Sequence, residues 1–154
     1  MKRRTALLLS LIALAPLAQA IEPGQPVAPW TLLDQFDQPF TLGQDTRVLL
    51  VARSMAAAKL VNAALEAEPK GYLEQRHIAY VADIERMPAV AKLFAIPQMR
   101  SAKYRILLDQ EGRVAPRYEG ARETVQWLAI EDGKLAEQRV FEDAESLKRA
   151  LSQL

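Results

Sequence analysis

The apolar residues of this chain follow two different spacings, and the order of the spacings predicts an α/β fold. Residues 48–52 and 78–82 are unbroken apolar runs, which is typical of central strands covered on both faces. From Met55 onwards, between the two runs, apolar residues recur every three or four positions, as on one face of a helix. A buried strand, a helix and a second buried strand in succession predict two parallel strands joined by a crossover helix.

Shorter elements flank this unit. Further strands are predicted at 30–33, 40–42, 104–108, 125–130 and 135–141, with a helical turn at 72–76. The last two strands meet at Asp132-Gly133, a strong hairpin signal. Asp143 is predicted to cap a final helix that carries Leu147, Leu151 and Leu154 along one stripe.

One more helix is predicted after the second buried run. Pro88 is placed to open it, Val90, Leu93 and Phe94 supply its apolar stripe, and Pro97 is predicted to end it. All elements together predict a three-layer α/β sandwich, in which a mixed central sheet has helices on both faces and an N-terminal β-hairpin.

The start of the chain has the pattern of a cleavable signal peptide. Lys2, Arg3 and Arg4 precede an apolar stretch, and Ala18-Gln19-Ala20 supplies small residues at the cleavage position. A retained anchor is the alternative, but the stretch is shorter than the about 20 residues that span a bilayer. We therefore expect a signal peptide at 1–20 and one exported domain at 21–154, in the bacterial periplasm and not attached to the membrane.

Composition excludes several kinds of chemistry. The chain has no cysteine and one histidine, so neither thiol catalysis nor a thiolate or histidine-cluster metal site is expected. Three of the 20 basic residues and none of the 19 acidic residues lie in the first 20 positions, which leaves the remainder with a net charge of −2. That charge gives no support for nucleic-acid binding. No glycine-rich nucleotide motif follows a strand.

Three motifs carry a family resemblance. They are GQPVAPWTLLD at 24–34 with FTL at 40–42, ILLDQEGRVA at 106–115, and WLAIEDGKL at 127–135. In this order and spacing they resemble the thioredoxin-like superfamily, in particular its peroxiredoxin and redoxin branch, which includes alkyl hydroperoxide reductase and thiol-specific antioxidant proteins. The resemblance spans nearly all of the predicted domain and implies a thioredoxin-like fold.

The redox site that the resemblance implies lacks its reactive groups. In the family the reactive cysteine lies where the central strand meets the first long helix. Laid against the pattern W-C-x-x-C-K, this junction has Met55 and Ala58 at the cysteine positions and retains Lys59. The family also has a cis-proline before the opposite strand, whereas residues 120–124 read GARET. The resemblance therefore implies a fold without thiol–disulfide exchange or cysteine peroxidase activity.

We call the residues at these two positions the former redox face. They are Arg53, Ser54, Met55, Ala58, Lys59, Arg122, Glu123 and Thr124. The predicted function is a non-catalytic binding module that uses this face to hold a periplasmic protein or a small anionic ligand. Two alternatives remain, namely an oxidoreductase or electron carrier with a bound flavin, and a purely structural envelope protein. The residues themselves call for no cofactor.

Single residues on and near this face have two interpretations each. Ser54 is either a nucleophile or a helix cap, and the cap is favoured because His77 is predicted at the opposite end of the sheet. The cations Arg53, Lys59 and Arg122 either form an anion site at a helix N-terminus or are solvated charges. The acidic residues Asp34, Asp37, Asp109 and Glu111 lack the spacing of a calcium loop and are interpreted as turn residues.

Overall fold

The structure is a computed structural model that describes residues 20–154. The predicted signal peptide lies outside the described residues apart from Ala20. Residues 20–154 form seven strands, namely β1 (Thr31–Asp34), β2 (Pro39–Thr41), β3 (Val48–Ala52), β4 (Ile78–Asp83), β5 (Leu107–Asp109), β6 (Val125–Glu131) and β7 (Lys134–Phe141). They also form four α-helices, namely α1 (Met55–Leu65), α2 (Tyr72–Gln75), α3 (Ala89–Met99) and α4 (Ala144–Ser152), and a 3-10 turn at Ala115–Arg117. None of the helices described is long and apolar enough to cross a bilayer.

The strands form one mixed sheet in the order β2-β1-β5-β4-β3-β6-β7. Strands β3, β4 and β5 are parallel, while β6 lies antiparallel to β3 and β1 lies antiparallel to β5. In β3 and β4, Val48 pairs with Ile78 and Ala52 pairs with Ala82, so their carboxyl ends lie side by side. The predicted mixed sheet and N-terminal hairpin are confirmed.

The two faces of the sheet are covered unequally. Buried residues of α1, α2 and α4 pack on one face around Leu50, Tyr80 and Trp127, with α3 at the margin. The other face, around Leu49 and Val51, is covered by the 3-10 turn and by segments near the N-terminus. The junction between β3 and α1 therefore lies at the edge of the thicker, helical layer.

The ends of several elements follow the predicted turn and cap chemistry. Asp132 and Gly133 have φ values of 50° and 73°, as a tight two-residue hairpin requires. The Asp143 carboxylate accepts a hydrogen bond from Ser146 N at 2.7 Å and caps α4, which lowers the pKa of that carboxyl below its ordinary value. Of the predicted α4 stripe, Leu147 and Leu151 are buried, whereas the stripe ends before the exposed Leu154.

The predicted strand at 104–108 is wrong at its start, because β5 begins only at Leu107. The backbone before it is satisfied by side chains instead of by a neighbouring strand. Arg105 N donates to Glu74 Oε1 at 2.6 Å, and Ile106 N donates to Gln35 Oε1 at 2.9 Å. Gln35 Nε2 also donates to Tyr104 O at 2.9 Å. These partners are distant in sequence, so local patterning does not reveal them.

Helix α3 departs from its prediction in two ways. It continues to Met99, with Pro97 inside its last turn, where Arg100 N donates to Pro97 O at 3.3 Å in a tighter turn. Its predicted apolar stripe faces away from the protein, since Val90, Leu93 and Phe94 are all largely exposed. The helix rests on the core through the partly buried residues Ile96 and Met99.

Candidate binding face at the ends of strands β3 and β4

Ser54 joins the end of β3 to the start of α1. Its backbone is extended, and its Oγ accepts a hydrogen bond from Ala57 N at 3.1 Å. The same hydroxyl donates to Arg122 O at 2.6 Å. Ser54 is therefore a helix cap, as the sequence favours, and it also ties α1 to the loop before β6. The only proton it can donate is engaged with a backbone carbonyl.

His77 lies at the opposite end of the sheet, as predicted. It precedes β4, whose first residue pairs with the first residue of the parallel strand β3. The five residues of β3 then separate it from Ser54 by about 17 Å along the strand direction. His77 Nδ1 lies 3.9 Å from Asp45 Oδ2, and both side chains are largely exposed. The one histidine of the sequence is therefore out of reach of the Ser54 hydroxyl, so a serine–histidine acyl-transfer site has no support.

Met55 and Ala58 occupy the first turn of α1, where the resemblance places the reactive cysteines. Met55 is 62% exposed, and Ala58 is partly buried against the core. Both line a groove of about 550 Å³ between α1 and α3, to which Met87 and Met99 also contribute. The surface at this position is therefore apolar and flexible in its side chains, because methionine has several rotatable bonds and a polarisable sulfur.

Two tyrosines line the floor of the groove. The rings of Tyr80 and Tyr104 lie 6.0 Å apart, and Tyr104 Oη donates to Asn62 Oδ1 at 3.2 Å. Burial raises the pKa of both phenols, and Tyr104 raises that of Tyr80 further. Both side chains are therefore neutral at physiological pH and add hydrogen-bonding capacity without charge.

Asp83 is a site residue that the sequence analysis did not identify. Its side chain is fully buried at the end of β4, with Oδ2 3.4 Å from Arg53 Nε and 3.8 Å from Arg122 Nη1. Its Oδ1 accepts from Glu85 N at 3.1 Å. A sequence signal for this ion pair was available. Asp83 directly follows the apolar run of β4, and Arg53 directly follows the apolar run of the parallel strand β3, so an acid and a base lie at the same end of the sheet.

The carboxylate of Asp83 changes the charge of the predicted anion site. Arg53 and Arg122 are brought together, but one of their two positive charges is balanced by the buried carboxylate between them. Lys59 lines the groove between α1 and α3, which neither arginine lines. The three cations therefore do not converge on one point, and the arrangement is less suited to a small anion than their sequence positions suggest.

The loop before β6 is held by its own hydrogen bonds. Thr124 Oγ1 donates to Ala121 O at 2.7 Å and accepts from Gln126 Nε2 at 2.9 Å. Gly120 packs so closely against the Gln126 side chain that a Cβ at this position would overlap it. Glu123 is exposed next to the buried Thr124. No peptide bond is cis in residues 20–154, so this loop, at which the resemblance places a cis-proline, has only trans bonds.

Two of the four acidic turn residues, Asp34 and Asp109, bind the backbone as the turn interpretation predicts. Asp34 Oδ1 accepts from Phe36 N at 2.8 Å and from Gln38 N at 3.0 Å. Asp109 accepts from three backbone N–H groups in the turn after β5. Within the described part of the chain, no three histidine, cysteine or acidic side chains converge in a way that would hold a metal ion.

Solved structures share this architecture. Peroxidoxin BcpB from Mycobacterium tuberculosis is similar with a TM-score of 0.55 and 18% identity, over 86% of this chain and 95% of that one. StoA from Bacillus subtilis is similar with a TM-score of 0.53 and 13% identity, over 82% and 98%. The thioredoxin domain of the thiol-disulfide oxidoreductase BVU-2223 from Bacteroides vulgatus is similar with a TM-score of 0.53 and 12% identity, over 86% and 99%.

These similarities establish the fold alone, because each identity is far below that of close relatives. No protein-family model matches the sequence, and no curated protein matches it. The resemblance to thioredoxin-like proteins that the sequence predicted is confirmed at the level of the fold, which is thioredoxin-like and α/β. Without cysteine, the chain cannot perform the thiol–disulfide chemistry for which the Bacteroides vulgatus protein is named.

Proposed function

We propose that this protein is a non-catalytic thioredoxin-like module, exported to the periplasm, that binds a protein partner through the former redox face. The observation that carries this proposal is the position of Met55. It lies at the start of α1, where the resemblance places a cysteine. It is 62% exposed and lines a groove to which two further methionines contribute. Exposed apolar side chains that border a groove are typical of protein contact sites.

The chemistry of the face favours a protein over a small anion. Two of the three candidate cations, Arg53 and Arg122, are committed to Asp83. Most of the groove wall is apolar, and its polar atoms include neutral tyrosine hydroxyls. An apolar side chain of a partner segment is the ligand that such a groove accommodates, with Lys59 at the rim available for a carboxylate of the same partner.

A binding role also gives a use to the hydrogen bonds and ion pairs that hold the junction of β3 and α1, although this junction has no thiol chemistry. The Ser54 hydroxyl joins α1 to the loop before β6, and Asp83 joins both arginines to the end of β4. These bonds fix the two halves of the former redox face relative to each other. A fixed surface binds a partner with less loss of conformational entropy than a mobile one.

A pull-down with a single charge introduced on the face tests this function. We expect the purified protein to recover a specific protein from periplasmic extract, and Met55→Glu to reduce that recovery at least tenfold. A carboxylate at the first position of α1 is compatible with the helix dipole, so this variant is expected to fold. Circular dichroism and the melting temperature check that expectation.

Val140→Glu is the matched control, because Val140 is a half-exposed apolar residue on β7, remote from α1. Its recovery of the partner is expected to equal that of the unmodified protein. Equal recovery by Met55→Glu, or equal loss in both variants, would show that the former redox face is not the binding surface.

A further inference from the structure

All three methionines of the described chain line the groove between α1 and α3. They are Met55, Met87 and Met99, and the fourth methionine of the sequence is Met1, outside the described residues. Because the chain has no cysteine, these thioethers are the sulfur atoms that residues 20–154 contain. A thioether cannot form a disulfide, but a peroxide converts it to a sulfoxide that reductases can reverse. The groove therefore retains one kind of sulfur chemistry, although the thiol chemistry of the fold is absent.

The three thioethers differ in their access to solvent. Met55 is the first residue of α1 and is 62% exposed. Met87 lies in a turn before α3, where its N–H donates to Ile84 O at 3.1 Å, and Met99 is the last residue of α3. Both of these side chains are partly buried against the core. Since a dissolved peroxide must reach the sulfur, oxidation is expected first at Met55.

We propose that Met55 is a site of reversible oxidation by peroxides, and that its sulfoxide weakens binding of the protein partner to the former redox face. The regulatory part of this inference rests on the proposed function. In the reaction a lone pair of the sulfur attacks one peroxide oxygen, the O–O bond breaks and an S–O bond forms. The sulfur is oxidised by two electrons and the peroxide is reduced. For hydrogen peroxide, the proton on the transferred oxygen passes to the departing hydroxide, which leaves as water.

The sulfoxide changes the property of Met55 on which partner binding is proposed to depend. In the reduced form its side chain adds apolar surface to the groove beside Ala58. The sulfoxide is polar, and its oxygen accepts hydrogen bonds. An apolar partner side chain placed over this oxygen would remove it from water without supplying a donor, which is unfavourable. Oxidation is therefore expected to oppose the same contact that Met55→Glu opposes, but reversibly.

Lys59 is positioned to stabilise the oxidised form. It lies four residues after Met55, so the two side chains share one face of α1, and both line the groove. Helical side chains lean towards the N-terminus of their helix, which directs Lys59 towards Met55. Its ammonium can then donate a hydrogen bond to the sulfoxide oxygen. Lys59 bound in this way is no longer free for a carboxylate of the partner, so oxidation opposes both contacts that the proposed function assigns to this rim.

Oxidation at the other two methionines would have a different effect. Met87 and Met99 pack against the core, so an oxygen added there would lie among apolar side chains and would lower the melting temperature. An oxygen on Met55 remains in solvent and is expected to change the melting temperature by no more than about 1–2 °C. The melting temperature therefore distinguishes oxidation at the proposed site from damage to the core.

Peptide mass spectrometry after treatment with hydrogen peroxide tests the site. With the purified protein and about one equivalent of peroxide per chain, Met55 sulfoxide is expected to form at least threefold faster than the sulfoxide of Met87 or Met99. A mixture of the A and B types of methionine sulfoxide reductase, which act on the two sulfoxide epimers, is expected to reverse the oxidation. Equal rates at the three methionines, or slower oxidation of Met55, would overturn the inference.

A pull-down from periplasmic extract tests the effect on binding. The probe is the protein band that the untreated protein recovers, and each sample is compared with its own untreated form. Recovery by the unmodified chain is expected to fall at least tenfold once Met55 is oxidised and to return after reductase treatment. In Met55→Leu, peroxide is expected to leave recovery at its untreated level. In Met99→Leu, which retains Met55, peroxide is expected to lower recovery as it does in the unmodified chain.

The outcomes separate this inference from the proposed function. Untreated protein that recovers no specific band would contradict the proposed function. A specific band that oxidised and untreated protein recover equally would leave the proposed function intact and overturn the regulation by Met55. Loss of recovery in peroxide-treated Met55→Leu would assign the effect to another residue and would likewise overturn it. Where Met55→Leu itself binds too weakly to compare, reversal by the reductases on the unmodified chain decides between these results.

Discussion

A variant with Met55→Cys and Ala58→Cys is expected to close a disulfide across the first turn of α1 and to acquire dithiol–disulfide exchange, which the unmodified protein lacks. Residues three apart on a helix have Cα atoms about 5 Å apart, within the range that a disulfide spans. The N-terminus of α1 lowers the pKa of a thiol placed there, because its unpaired N–H groups stabilise the thiolate. Thiol titration before and after mild oxidation, followed by an insulin-reduction assay, measures the gain.

The control for this gain is a second pair of cysteines at the C-terminal end of the same helix, where Glu66 is the residue that follows its last turn. Ala63→Cys with Glu66→Cys places exposed residues at the same spacing at the other end of α1, where the helix dipole disfavours a thiolate. The thiols of this control pair are expected to be oxidised at least tenfold more slowly than those at positions 55 and 58. The control pair is also expected to reduce insulin at least tenfold more slowly. Equal rates for the two pairs would mean that the junction of β3 and α1 has no special suitability for redox chemistry.

Asp109→Ala is expected to destabilise the protein more than any other single substitution considered. Asp109 is completely buried, and its carboxylate accepts from Arg113 N, Val114 N and Ala115 N at 3.1, 2.9 and 2.7 Å. An unpartnered buried donor costs about 1–3 kcal/mol, so the loss of three partners lowers the free energy of unfolding by about 3–5 kcal/mol. The melting temperature is expected to fall by about 10–20 °C.

Asp45→Ala is the matched control, because the Asp45 side chain is 79% exposed. Its ion pair with His77 is long, with 3.9 Å between Asp45 Oδ2 and His77 Nδ1. We expect its melting temperature to change by about 1–2 °C, as for an exposed ion pair. Asp109→Asn retains one side-chain oxygen and is expected to lie between the two. A melting temperature for Asp109→Ala within 3 °C of the unmodified protein would contradict this role of the carboxylate.

The sequence predicted the central part of the fold well because that part depends on local patterns. The strand β3 was predicted with its observed bounds, since five consecutive buried apolar residues have no other common explanation. The cap residues Ser54 and Asp143 and the turn at Asp132-Gly133 depend only on neighbours within four positions. These caps and this turn were therefore predictable from short-range interactions alone.

Features that depend on distant partners were not predictable. The start of β5 is shifted by side chains of Gln35 and Glu74, more than thirty residues earlier. The ion pairs of Asp83 join Arg53 and Arg122, which are separated in sequence by about half of the described chain. The exposure of Val90, Leu93 and Phe94 is also invisible to periodicity, since an apolar stripe predicts that a surface is covered but not that the cover belongs to the same chain.

The sequence predicted that the junction of β3 and α1 and the loop at 120–124 lie together, but it did not predict the charges there; that they form a binding site stays a prediction. Met55 and Ala58 lie at the strand-to-helix junction that the resemblance specifies, and the loop at 120–124 lies opposite. The carboxylate of Asp83 beneath this site was missed, because an acidic residue at the end of a strand usually serves a turn. Its position between Arg53 and Arg122 balances one of the two positive charges that the sequence places there.

Whether a redox-protein junction has lost its chemistry here is tested most directly by an assay of the unmodified, dialysed protein for insulin reduction with dithiothreitol and for peroxide consumption. The rate of insulin reduction, and the consumption of peroxide beyond one equivalent per methionine, are expected to equal those of buffer alone at every protein concentration. The chain has no thiol, and peroxide oxidises a methionine thioether only to the sulfoxide, without turnover. A rate that rises in proportion to protein concentration in either assay would contradict the assignment of this face to binding without catalysis.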